Sequence, residues 1–156
     1  MFRPATEGID HINMYSKSTL EYGRMLSNFY KFPIATQDGN FMSVEGYWWW
    51  LSIEDCEEKE KLRNMYGYPA AKFGNELLGT CKREFVDDFE HRIAKAIWYK
   101  MRRHKNLLLP EYENLPIVHY YVYGSKILDQ TQKFSNMMNT VNKLRDSLVE
   151  DPTLWR

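Results

Sequence analysis

The stretch KFPIATQDGNFMSVEGYWWWL, at residues 31–51, decides the fold. Apolar side chains alternate at Phe32 and Ile34, and Asp38-Gly39 supplies a turn that tolerates positive φ. Residues 41–44 continue in an extended pattern, so this part of the stretch predicts a β-hairpin. The serine that follows the hairpin predicts the N-cap of a short helix, which carries the three consecutive tryptophans.

The patterns on either side of this stretch are mostly helical. The sequence predicts the following elements: an extended segment and an ordered loop over 12–30, a helix capped by Asp55 that ends at Gly67, a short helix from Pro69 to Gly79, a long helix over 86–104, an extended segment over 117–124 and a last helix over 131–148. The sum is a mainly α fold with a small β component around the hairpin.

Length and composition indicate a single domain over residues 1–156. The chain has 44% hydrophobic residues, enough for one core, and shows no repeat or linker. Lysines and arginines number 21, as do the acidic residues, so the net charge of zero gives no reason to expect strong duplex-DNA binding or attachment to an anionic membrane. No apolar run is long enough to cross a bilayer, and the first residues lack the apolar core of a signal peptide. We therefore expect a cytoplasmic protein without a membrane partner.

The two cysteines, Cys56 and Cys81, are expected to be unpaired thiols in a reducing compartment. They do not form a CxxC pair, and no histidine lies at zinc-ligand spacing around them, so no metal site is predicted. Cofactor motifs are also missing: there is no GxGxxG, Walker loop, HExxH or nucleophile elbow. This argues against nicotinamide oxidoreductases, P-loop NTPases, zinc proteases and α/β hydrolases.

Several polar side chains lie among aromatic residues in the first third of the chain, a composition typical of a pocket for a nucleotide or sugar–base ligand. The polar members are Ser16, Lys17, Ser27, Asn28 and Glu45, and the aromatic members are Tyr15, Tyr22, Phe29, Tyr30 and Tyr47. The alternative for Glu45 is that a glutamate in a first helical turn only complements the helix dipole. The three tryptophans cannot all face one way on a helix, so we expect mostly core packing and one stacking ring. The basic run at 100–105 is expected to be a solvated helix end.

The order INMYSKS, YGRMLSNFYKFPI, DGNFMSVEGY resembles the NADAR superfamily of YbiA-like proteins. Its members typically show an FYS-type start, an SNF followed by an aromatic residue and Pro-Ile, a DG turn and a Ser-x-Glu-His-Tyr helix. The residues kept in this order are Tyr15, Ser27, Asn28, Phe29, Pro33, Ile34, Asp38, Gly39, Ser43, Glu45 and Tyr47. The resemblance extends over about 12–148 and is specific in its first third. It implies a mainly helical NADAR-type domain.

The resemblance also implies N-glycosidase chemistry on ADP-ribose-like or ribosyl-phosphate substrates, including ADP-ribosyl removal from nucleobases, without a cofactor. Cleavage of such a bond passes through an oxocarbenium-like sugar, which a carboxylate stabilises while it activates water. By this resemblance Glu45 is the catalytic carboxylate, and Lys17 binds phosphate or attacks the opened sugar as a Schiff-base amine. The expected substrate-binding residues are Tyr15, Ser27, Asn28, Phe29, Tyr47 and Trp48. The implied partners are a small nucleotide or ribosyl-phosphate ligand or an ADP-ribosylated nucleic acid.

The chain departs from the family pattern at several polar positions. The family's histidine after the glutamate is Gly46, the Gln and Lys of its QAxK run fall at Trp49 and Ser52, and its late glutamate falls near His119. Its Asp-x-x-Trp-Gly loop has no counterpart. The alternative is therefore a catalytically degenerate module on the same fold, which binds a nucleotide or another protein. Pared-down members occur in phage genomes, so a phage-encoded protein acting in the host cytoplasm is a further hypothesis.

Overall fold

The structure is a computed structural model, and it describes residues 1–151 and 153. The α-helices in this range are α1 (Glu21–Leu26), α2 (Val44–Leu51), α3 (Gly67–Leu77), α4 (Phe89–Arg103) and α5 (Ser135–Glu150). The strands are β1 (Ile12–Asn13), β2 (Ile34–Thr36), β3 (Gly39–Phe41), β4 (Ile117–Val118), β5 (Tyr120–Tyr123) and β6 (Lys126–Asp129). Single turns of 3₁₀-helix lie at Pro4–Thr6, Lys105–Leu107 and Pro110–Tyr112, and a longer one at Glu57–Asn64. The predicted mainly α fold with a small β component is confirmed.

The chain divides into two compact units. A continuous unit comprises Asn28–Lys100, and a discontinuous unit combines Met1–Ser27 with Met101–Arg156. No helix among residues 1–151 and 153 is long and apolar enough to cross a membrane.

The hairpin and the helix after it, both in the continuous unit, form as the sequence predicts. Strands β2 and β3 pair antiparallel, with Ile34 opposite Phe41, and Gly39 adopts a φ of 103° at the turn. That φ lies in the left-handed region, which glycine enters without strain. Ser43 caps α2, and its Oγ accepts a hydrogen bond of 3.0 Å from the backbone N–H of Gly46.

The acidic segment after α2 differs from its prediction. It forms a 3₁₀-helix over Glu57–Asn64, and its N-cap is Cys56, without a side-chain cap hydrogen bond. The predicted cap by Asp55 was therefore wrong, since the extended residue that directly precedes the helix is Cys56. Gly67 begins α3 rather than ending the preceding helix.

Helix α3 and the part of α4 up to Lys100 complete the continuous unit, and both helices lie close to their predicted positions. Helix α3 ends at Leu77, two residues before Gly79, and α4 starts three residues later than expected. The apolar stripe of α4 is buried at Ile93, Ala96 and Ile97, as its helical spacing predicts.

The discontinuous unit depends on a parallel strand pair of only two residues each. Ile12 lies opposite Ile117 and Asn13 opposite Val118. Two asparagine side chains extend this pairing: the Asn13 amide exchanges hydrogen bonds of 3.0 and 2.9 Å with the backbone of Tyr120, and Asn142 does the same for Ile117 at 3.0 Å. The two side-chain amides thus form hydrogen bonds with backbone N–H and C=O groups that strands of two residues do not pair with each other.

Helix α1 was missed by the sequence analysis, which predicted an ordered loop there. It has six residues with a glycine in the middle, which is too short to show a 3.6-residue period. The helix is stabilised by the burial of Tyr22, Met25 and Leu26 and not by the intrinsic helix propensity of its residues. The predicted extended segment 117–124 is confirmed as β4 and β5, and the last helix is confirmed as α5, which begins at Ser135 and ends at Glu150.

Candidate active site

Glu45 and Asn28 lie side by side in the continuous unit. Glu45 occupies the first turn of α2, where its backbone N–H donates a hydrogen bond of 2.9 Å to the backbone oxygen of Asn28. The hairpin returns the chain from the SNF segment to the helix start, and the Ser43 cap fixes where that helix begins. The fold thus joins two of the predicted site residues through a main-chain contact.

The carboxyl group of Glu45 is partly buried and bonded to a tryptophan. Trp49, one helical turn later, donates from its indole Nε1 to Glu45 Oε1 at 3.0 Å. Burial raises the pKa of Glu45 to about 7, and the Trp49 hydrogen bond opposes that rise. At neutral pH this carboxyl therefore both accepts and releases a proton readily, which an ordinary surface glutamate does not.

Two glycines allow this part of α2 to approach its neighbours closely. A Cβ on Gly74 of α3 would overlap the Trp49 ring, so only a glycine lets that ring lie against α3. A Cβ on Gly46 would lie 2.5 Å from the backbone oxygen of Leu62 and 3.2 Å from that of Met65. The residue after the candidate glutamate is therefore glycine because α2 packs against the backbone of residues 62–65.

The three tryptophans of α2 diverge, as the helical geometry predicts. Trp48 meets Phe85 and Phe89 in edge contacts, with ring centroids 6.2 and 5.7 Å away, and the Arg83 guanidinium lies 5.6 Å from its ring centre. Trp49 faces Glu45. Trp50 contacts the hairpin, where its centroid is 5.6 Å from that of Phe41, and it carries the Lys59 ammonium at 4.1 Å. Each indole is only partly buried.

Tyr47 is positioned as a support of the hairpin. Its ring is 1% exposed and lies 4.6 Å from Phe41, and its hydroxyl donates to Asp38 Oδ2 at 2.7 Å. Arg92 of α4 donates to both oxygens of Asp38, at 3.0 and 3.1 Å. Tyr47 and Asp38 thus fasten the hairpin that brings Asn28 to Glu45.

The remaining predicted residues are distributed between the two units. Phe29 belongs to the continuous unit, where its backbone oxygen accepts from Gly67 at 3.1 Å. Tyr15, Lys17 and Ser27 belong to the discontinuous unit. Tyr15 is buried with its ring 5.8 Å from Tyr121, Ser27 is the buried C-cap of α1, and Lys17 is exposed.

Lys100 is a buried side chain, so the prediction of a solvated helix end at 100–105 was wrong at this residue. Its side chain is fully buried, 6.0 Å from the centre of the Tyr30 ring, and burial lowers its pKa to about 7. The position is three residues after Ile97 and seven after Ile93, both on the apolar stripe of α4. That spacing was the available signal, since such positions share one helix face. Trp49 was also missed as a partner of Glu45, although their four-residue spacing indicated it.

The structure also brings the two cysteines together with an acidic residue. The side-chain donor atoms of Cys56, Glu58 and Cys81 lie within 4.8 Å of one another, a grouping that their sequence spacing did not predict. Glu58 is exposed, Cys56 is partly exposed and Cys81 is buried.

No family model and no curated protein matches the chain. Among solved structures it is similar to the NMR structure of the E. coli protein YbiA, with a TM-score of 0.64 and 21% identity over 90% of this chain and 85% of that one. This likeness shows a YbiA-like fold.

Proposed function

We propose that the protein is an N-glycosidase that hydrolyses ribosyl N-glycosides, with Glu45 as its catalytic carboxylate. The supporting observation is the carboxyl of Glu45 itself, whose pKa of about 7 suits proton transfer at neutral pH. Glu45 lies in SVEGY and its backbone partner Asn28 in SNF, the two segments that resemble the NADAR superfamily most closely. The YbiA-like fold agrees with that resemblance.

The reaction breaks the bond between the sugar C1′ and the nitrogen of the base, and forms a bond from C1′ to a water oxygen. In its ionised form Glu45 stabilises the positive charge that develops on the sugar and accepts a proton from the attacking water. The departing base takes up a proton from solvent. The indole of Trp49 holds the carboxylate in position, since a hydrogen bond to a charged acceptor is strong and directional.

In this proposal the remaining residues bind the substrate. Asn28 bonds the ribose or phosphate, and Trp48, which is partly exposed beside Phe85 and Phe89, stacks on a base or sugar face. Substrates that fit are ribosyl-phosphate N-glycosides and ADP-ribosylated nucleobases.

The proposal is tested by measuring the release of free base chromatographically from these two substrate classes. We expect Glu45→Gln to lower turnover by ~10²-fold or more, because an amide neither carries negative charge nor accepts the proton from water. Glu60→Gln is the matched control, since Glu60 also accepts an indole N–H, from Trp50 at 3.2 Å, but is exposed. Full activity of Glu45→Gln would remove Glu45 from the mechanism.

The second candidate function is a nucleotide-binding module without turnover. The close approach of Gly46 to the backbone at Leu62 favours it, since this packing leaves no room for the family's histidine. Thermal-shift measurements with ADP-ribose and ribosyl-phosphate compounds distinguish the two, because a ligand that binds the native state raises Tm. Stabilisation without base release from any substrate would favour the binding module.

A further inference from the structure

The Sγ atoms of Cys56 and Cys81 are 2.7 Å apart. The two residues are separated by 25 positions in the chain, and both belong to the continuous unit. Two thiols that merely pack against each other lie farther apart, near the sum of their van der Waals radii. A disulfide bond requires about 2.05 Å, so the pair is within a small side-chain movement of bonding distance.

The backbone around both cysteines is fixed by hydrogen bonds between their segments. Glu54 donates from its backbone N–H to the Lys82 oxygen at 2.9 Å, and Lys82 donates back to the Glu54 carboxylate at 2.6 Å. Ile53 and Arg83 form an antiparallel bridge one position farther on. The main chain therefore holds the segments that carry the two cysteines next to each other, and the side-chain torsions of Cys56 and Cys81 set the remaining separation of the sulfurs.

We propose that Cys56 and Cys81 form a reversible disulfide bond. This proposal is independent of the glycosidase function.

The alternative is a soft metal ion held by both thiolates and Glu58. Two thiolates on one tetrahedral zinc, with Zn–S bonds of about 2.3 Å, lie roughly 3.7 Å apart, about 1 Å more than the separation observed. The third donor, Glu58, is exposed and lies 3.9 Å from Cys81 Sγ, so the geometry favours the disulfide.

A low-molecular-weight disulfide such as oxidised glutathione is the oxidant that this exchange requires. Cys56 is the partly exposed member, so its thiolate attacks one glutathione sulfur and releases the first glutathione as a thiolate. Cys81, which is 5% exposed, then loses its proton and attacks the Cys56 sulfur, which releases the second glutathione. The two electrons and two protons of the protein thiols end on two glutathione molecules.

Burial and the neighbouring thiol raise the pKa of Cys56 to about 11. Because the thiolate is the nucleophile, the exchange is slow at neutral pH. The appropriate test is therefore an equilibrium measurement, with the protein incubated in glutathione buffers of increasing oxidised fraction.

In the experiment the equilibrated full-length protein is quenched in acid, alkylated and analysed by mass spectrometry. We expect the oxidised protein to take up no alkyl group, the dithiothreitol-treated protein to take up two, and Cys56→Ser to leave one alkylatable or glutathionylated thiol. The closed loop spans 25 residues, so oxidation should raise Tm by roughly 5–10 °C.

Two results would overturn the disulfide. One is a protein that, at equilibrium with oxidised glutathione, carries two alkylated or glutathionylated cysteines. The other is protection from alkylation that EDTA reverses and dithiothreitol does not, which would assign a metal site to Cys56, Glu58 and Cys81. Cys81→Ser provides a second single-thiol variant in case Cys56→Ser fails to fold.

Discussion

Trp49 donates its indole hydrogen to Glu45 one helical turn earlier, so the candidate carboxylate and its partner are carried on the same helix. The glycine at position 74 leaves room for the indole against α3. Burial and this hydrogen bond act on the carboxyl in opposite directions, and burial is the larger effect. The pKa of Glu45 therefore depends in part on Trp49, which is neutral. A mutation of Trp49 can change this pKa without changing the charge of any residue.

Trp49→Phe should raise the pKa of Glu45 above 7. The phenyl ring retains most of the packing but cannot donate, and a hydrogen bond to the ionised form is what holds the pKa down. A charged hydrogen bond of this kind contributes about 1.5–3 kcal/mol, so we expect the pKa to rise by about one to two units. Carbon-detected NMR titration of the glutamate carboxyls measures it. Trp50→Phe, which removes an indole bonded to the exposed Glu60, should leave the Glu45 titration unchanged; a similar shift in both variants would contradict the assignment.

The contribution of Glu45 to the free energy of unfolding should fall as pH rises from about 4.5 to 7. In the unfolded chain this carboxyl ionises near 4.5, whereas the folded protein keeps it protonated up to about 7. The native state therefore binds more protons in that window, and the free energy of unfolding decreases as pH increases. The shift of about 2.5 pH units corresponds to an upper value of about 3 kcal/mol.

Glu45→Gln isolates this contribution, since glutamine does not titrate. Urea unfolding at pH 4.5 and pH 8 should show equal stability at the lower pH and a more stable variant at the higher pH, by about 1–3 kcal/mol. If Glu45 only complements the helix dipole, the variant would instead lose about 0.3–1 kcal/mol at pH 8. The sign of the difference at pH 8 therefore decides between the two interpretations.

The sequence predicted the fold where local rules were strong. The Asp38-Gly39 turn and the serine cap predicted the hairpin and α2, because turn chemistry and capping act within a few residues. Helix α1 and the 3₁₀-helix at Glu57–Asn64 escaped prediction. Helix α1 is too short to show a helical period, and the pattern after Asp55 does not distinguish a 3₁₀-helix from an α-helix.

The candidate site was predicted only in part. The motif order predicts that Asn28, Glu45 and Lys17 line one cleft, which stays a prediction; the structure joins Asn28 and Glu45 by a backbone hydrogen bond. The spatial proximity of the Cys56 and Cys81 thiols, which are free as the sequence predicts, and the burial of Lys100 were missed. The first depends on a contact across 25 residues. The second depends on whether a lysine within an apolar stripe extends to solvent or is covered, which helical spacing alone does not determine.

Lys100→Met should stabilise the protein most at pH 7 and below. Burial lowers the pKa of Lys100 from 10.5 to about 7, so the folded state disfavours the charged form. Between pH 7 and 10.5 the unfolded chain binds more protons, and the wild-type free energy of unfolding rises with pH. The methionine variant lacks this dependence, so its advantage should shrink on raising the pH from 7 to 10. Lys95→Met, at an exposed position of the same helix, is the control in urea unfolding at both pH values. An advantage independent of pH would show that Lys100 does not titrate in this range.

Gly46→Ala should destabilise the protein although alanine favours a helix interior by about 1 kcal/mol over glycine. Its methyl group would lie 2.5 Å from the backbone oxygen of Leu62, and that atom belongs to the 3₁₀-helix at Glu57–Asn64, not to a flexible side chain. Overpacking of this kind costs about 1–3 kcal/mol, and Gly46→His, with a larger side chain, should cost more.

Urea unfolding measures the stability of both variants. The control is Asn75→Ala on the exposed face of α3, where the new side chain contacts no backbone atom of a neighbouring segment. A folded Gly46→His variant with gained or increased N-glycosidase activity would mean that α2 can move away from residues 62–65, and the packing argument for the missing histidine would then be wrong.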